Sequence, residues 1–141
     1  MKGSTKAFLL IESVVCFAPA LVMLALGVIM VPVQIWFLLS RAGEDGTGAA
    51  LTVLAWVAGG MGGVIALTNL MLWITTPRSI FIGRGWTLAG AVAGGAALWP
   101  YAFGPVDSSW WRLAGLLPLL CAVHFIYLGR GFLFPELAQR R

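Results

Sequence analysis

Charge is what this chain lacks most. Only 10% of its 141 residues are Asp, Glu, Lys or Arg, 60% belong to the hydrophobic set, and mean hydropathy is +0.95. An ordinary soluble domain carries roughly 25% charged residues, so a chain this poor in charge cannot wet its own surface. Cysteine is scarce as well. Cys16 and Cys121 both lie inside apolar runs without a CxxC neighbour, which excludes a disulfide scaffold or a zinc knuckle. Each thiol reads first as a small buried hydrophobe. A single histidine, His124, and five dispersed acidic residues leave no Ser-His-Asp set, no phosphate-binding loop, no paired carboxylates and no HExxH helix. Enzymatic activity and a bound cofactor are therefore not expected. Nine basic residues give a net charge of +4, but they cluster between apolar runs instead of along one face. They read as a topology signal, and nucleic acid is not an expected partner.

Long apolar runs are what the chain does have. About 20 apolar residues carry a helix across a hydrocarbon core of ~30 Å, and four stretches qualify: residues 8 to 30 or up to 39, 49 to 75, 86 to 104, and 112 to 131. The turn-rich segments SRAGEDGTG, TPRSIFIGRG and GPVDSSWWR separate them. A cleaved leader is not expected at the first run, because its apolarity continues through Leu39 and Glu12 lies inside it. A lipoprotein box fails because Val15 precedes Cys16. The surplus length beyond Pro32 implies either a tilted, bent helix or a segment lying along the outer surface. Pro19, Pro32 and Pro118 are expected to kink their helices without ending them.

Seven of the nine basic residues, Lys2, Lys6, Arg78, Arg84, Arg130, Arg140 and Arg141, fall on one side of these four runs. The other side holds Arg41 beside Glu44 and Asp45, and Arg112 beside Asp107. The positive-inside bias then puts both termini in the cytoplasm. The expected fold is an all-α integral membrane protein of four transmembrane helices, an up-down-up-down bundle, N-in and C-in, without a soluble domain. A bacterial cytoplasmic (inner) membrane fits this pattern. Trp36, Trp73, Trp86, Trp110 and Trp111 fall near the run ends, where indole prefers the headgroup layer; Trp56 and Trp99 lie deeper and are expected to pack on neighbours.

The run AWVAGGMGGVIAL, residues 55 to 67, holds four glycines in five positions. In water each would cost about 1 kcal/mol relative to alanine in a helix. In lipid an unpaired amide costs several kcal/mol, so the segment stays helical and glycine supplies a groove for close backbone approach. Gly59 and Gly63 form one GxxxG pair, and Gly90 and Gly94 form another at matching depth. The second and third runs are expected to be the tightest helix pair, with self-association through the same faces as the competing use. Asn69, Thr68 and Gln34 add neutral groups able to bridge helices at about 0.6 kcal/mol apiece.

Glu12 stands near the start of the first run and Arg130 at the end of the fourth. Glu12 either reaches the headgroups or pairs with Arg130. Glu12 and Cys16 are spaced i, i+4, and Cys121 and His124 are spaced i, i+3; each pair shares a helix face at a depth of about 10 Å. Were the two faces to meet, they would bring together the donor types of a zinc or soft-metal site. Spacing on two separate helices is easily matched by chance, and no metal is expected. The functional expectation is a small polytopic membrane protein acting by helix–helix association: an accessory or assembly subunit, or an immunity-type protein. Its partners would be the lipid bilayer and either a second copy or another membrane protein. The alternative is a small oligomeric transporter or channel with Glu12 as a proton or cation site.

Overall fold

The computed structural model describes residues 3–40, 47–76, 81–104 and 109–135, with the side chains of residues 3–6 and of Trp111 outside the description. Apolar runs this long have no polar partners but their own backbone, and the regular structure among the described residues is all helical. The helices are α1 (Gly3–Ser40), α2 (Thr47–Thr75), α3 (Arg84–Phe103), α4 (Ser109–Leu128) and the short α5 (Arg130–Leu133). Two of them are long and apolar enough to cross a membrane, over Ala7–Ser40 and Thr47–Thr75. The apolar stretch of α4, Arg112–Leu128, is shorter, and half of α3 is glycine or alanine, residues that carry little hydropathy.

α1 runs unbroken through both Pro19 and Pro32, so residues 31 to 39 extend the helix instead of leaving it. Its 38 residues rise about 57 Å, nearly twice the ~30 Å of a hydrocarbon core. The fourth run departs from expectation at its end. The helix breaks at Gly129, whose N–H donates to the Phe125 carbonyl at 2.8 Å, and resumes as α5. A Cβ at Gly129 would lie 2.7 Å from Leu70 Cδ2, so glycine lets this corner close on α2.

α2 and α3 form the most extensive helix pair, and glycine is the reason. A Cβ built on Gly63 would stand 2.8 Å from Gly94 Cα, and one on Gly94 would stand 2.6 Å from Gly63 Cα. Gly90 faces the Gly62 carbonyl and Gly59 faces the Ala93 carbonyl and the Ala97 methyl. The two backbones touch, which maximises dispersion contacts between them. α4 meets α3 in the same way, with Gly115 against the backbone of Tyr101 and Ala102. α1 lies on α2 through Leu24 over Gly60 and through Val57 against Gly27. It also reaches α4 through a core of Leu9, Cys121 and Phe125, joined by Cys16, Phe17, Leu67 and Met71.

One side chain of α2 ties it to Phe81 and Ile82 and to the first turn of α3. Asn69 is fully buried; its Nδ2 donates to the Ile82 carbonyl at 3.0 Å and to Thr87 Oγ1 at 2.8 Å. Its Oδ1 accepts from the N–H groups of Phe81 at 3.2 Å and Ile82 at 3.4 Å. Thr87 in turn donates to the Gly83 carbonyl at 3.1 Å. Thr68 differs from expectation: its hydroxyl bonds back to Val64 of its own helix and bridges nothing. Trp56 meets Tyr101 and Trp99 meets Phe103 of its own helix, with ring centroids 5.8 and 4.4 Å apart, and both indoles are exposed. Trp73, expected at an interface, rests on Phe132; Trp36, Trp86 and Trp110 are exposed.

Candidate functional site

Helical phase carries Glu12 and Cys16 to the α4-facing side of α1, and Cys121 and His124 to the side of α4 that answers it. The two faces meet. Nδ1 of His124 lies 2.7 Å from Oε1 of Glu12. With the carboxylate ionised, the ring N–H donates; with a neutral carboxyl, its O–H donates to the ring nitrogen. The second carboxyl oxygen, Oε2, is buried and has no hydrogen-bond partner among the described residues. Cys121 is buried and Cys16, half-buried, packs against the core that holds Cys121; both thiols are free.

The four residues that the spacing singled out thus come together. They do so in pairs, and among the described residues no group of three or more His, Cys, Asp or Glu is arranged to hold a metal ion. One carboxyl oxygen and the Nδ1 of the only histidine are already spent on each other.

The expected Glu12–Arg130 ion pair is not the one formed. Glu12 is taken by His124, and Arg130 instead stacks its guanidinium 4.2 Å over the Tyr127 ring, a cation–π contact. Helical phase accounts for the difference: at 3.6 residues per turn Arg130 lies about 180° around the axis from Cys121 and about 120° from His124, off the face that meets α1.

Of the packing glycines, Gly63 lies on Gly94, Gly90 on α2 and Gly59 on α3. The finer register, Gly62 opposite Gly90 and Gly59 opposite Ala93, is set by the crossing and was not readable from the two GxxxG pairs alone. Sequence reasoning also missed the weight of Asn69. The available signal was an asparagine in an apolar run followed by a threonine at the start of the next helix. Of the charges that set the expected orientation, Arg84, Arg112 and Arg130 are exposed. The side chain of Lys6 and all of Lys2, Arg41, Glu44, Asp45, Arg78, Asp107, Arg140 and Arg141 lie outside the described residues.

In comparison with known proteins, no family model matches this chain, and no curated protein and no solved structure matches it either.

Proposed function

We propose that the chain is a small polytopic protein of a bacterial inner membrane, a bundle of four spans with both termini cytoplasmic, that works without enzymatic chemistry by associating through its helices. The observation that carries this reading is α1. It is the longest helix and holds the most hydropathic stretch, and Val14, Val22, Ile29 and Trp36 stand among its many exposed side chains. The glycine faces of α2 and α3 are consumed inside the molecule, so they are not free to dock a partner. α1 is, and its surplus length suits a partner or a second copy lying beside it.

A second reading is favoured by the Glu12–His124 pair, with its orphaned Oε2. A carboxyl that can trade a proton with an imidazole at a helix seam is the element a small oligomeric transporter or channel would use.

One experiment separates the two. Wild type and Glu12→Gln are crosslinked in native membranes, co-purified in mild detergent, and reconstituted for proton and cation flux. The association reading expects a stable complex, with itself or with another membrane protein, retained by Glu12→Gln and accompanied by no flux. Flux lost in Glu12→Gln from an otherwise folded protein establishes the second reading. A monomer without partner or flux contradicts both.

A further inference from the structure

Between Phe17 and Gln34, α1 does not touch α3 or the facing part of α4 closely. A cleft of about 350 Å³ separates them, floored by α2 at Gly60 and Val64 and walled by Gly95 and Leu119. Its lining is almost wholly apolar. Gln34, Trp56 and Tyr101 gather its polar groups toward one end, while the other end, at Phe17 and Leu67, abuts the core that ties α1 to α4. Along α1 the cleft covers about 25 Å of helical rise.

The lining decides what can fill it. Water has almost nothing to bond to along an apolar wall, and leaving the space empty forfeits dispersion contacts along its whole length. A single flexible hydrocarbon chain with a polar end matches the apolar wall and the polar groups gathered near Gln34, and the volume falls in the range of small-molecule sites. The side chains of Leu21, Leu26 and Met30, which line the cleft, are also about half exposed, which leaves a lateral way in.

We propose that this cleft is a binding site for one acyl chain of a membrane lipid, inserted with its methyl end toward Phe17 and its ester end at Gln34. The Gln34 amide and the Tyr101 hydroxyl are the groups able to meet the polar end of the chain. The proposal rests on the membrane reading above, and its test distinguishes the two. Phosphatidylglycerol carrying a photoactivatable diazirine near the acyl terminus is incorporated into nanodiscs with the purified full chain. Labelled peptides are then mapped by mass spectrometry. Labelling at Leu24, Leu119 and their neighbours is expected to saturate at one lipid per chain, whereas labelling at Val14, Val22 and Ile29, which are exposed and outside the cleft, rises without saturation.

Gly95→Phe places a ring in the cleft where a Cβ meets only Leu119 Cδ2 at 3.8 Å, and it is expected to cut cleft labelling about ten-fold with the outer face unchanged. Ala122→Phe serves as a second blocking variant, with thermal unfolding of both variants confirming that the fold is intact. Cleft labelling that tracks the outer face, or that survives both blocks, overturns the site. Failure to enter nanodiscs overturns the membrane reading and the site with it.

Discussion

Gly63→Leu is expected to abolish the folded protein, and Gly94→Leu to do the same. At this crossing a Cβ on either residue would come within 2.8 Å of the opposite Cα, so there is no side chain to move aside, only backbone. Restoring ordinary contact for even a methyl requires the axes of α2 and α3 to part by about 1 Å, and overpacking of this kind costs about 1–3 kcal/mol. An isobutyl group requires far more, and the separation also breaks the neighbouring contacts of Gly59 with Ala93 and of Gly90 with Gly62. Gly63→Ala is therefore expected to be measurably destabilised yet foldable, and Gly63→Leu not. Gly85 is the internal control: it lies in the first turn of α3 with nothing within 4 Å of its added Cβ, so Gly85→Ala should leave stability unchanged or raise it by up to about 1 kcal/mol. Reversible unfolding by sodium dodecyl sulfate in mixed micelles, followed by tryptophan fluorescence, measures all four variants. Equal stability of Gly63→Leu and wild type would mean that the helices do not cross here.

The second large effect belongs to Asn69→Leu. Interhelical hydrogen bonds in membranes average about 0.6 kcal/mol because the unfolded reference finds other partners. That average does not apply to Asn69, whose partners are two backbone N–H groups, a backbone carbonyl and a hydroxyl, gathered by one fully buried amide. Leucine keeps the bulk and strands all of them, and each stranded buried group costs about 1–3 kcal/mol. A loss of about 3 kcal/mol is expected in the same unfolding assay, together with faster proteolysis of the α2–α3 connection. Asn69→Asp should be nearly as harmful, since a carboxylate oxygen would replace the amide that donates to the Ile82 carbonyl. Thr68→Val, one residue away, should be close to neutral because its hydroxyl serves only its own helix.

These two sites show how far the sequence could be read. The α2–α3 crossing was legible in outline because the information is local and periodic: two GxxxG pairs at equal depth on helices joined by a short connection favour setting one small-residue face against the other. Asn69 was visible as a polar group but not as a keystone. Its partners, Phe81, Ile82 and Thr87, lie 12 to 18 residues away, and periodicity within one helix says nothing of them. The partner of Glu12 failed in a more instructive way. Counting depth from the helix ends matched it to Arg130, and charge agreed. Rotational phase, equally present in the sequence through the Cys121–His124 spacing, pointed to His124. Phase prevailed because Arg130, about half a turn around the helix axis from Cys121, does not share the face that meets α1. The cleft along α1 was not legible at all, since it arises from where α1 and α4 diverge, a property of the assembled helices.

The account depends on the chain threading hydrocarbon four times, and insertion topology tests this most directly. Fusions of alkaline phosphatase and of green fluorescent protein are made at residues 1, 44, 80, 107 and 141 and expressed in a bacterial host. Phosphatase activity is expected only at 44 and 107, and fluorescence only at 1, 80 and 141. Phosphatase activity at one terminus with fluorescence at the other would give an odd number of crossings and contradict the account, as would fluorescence at all five positions.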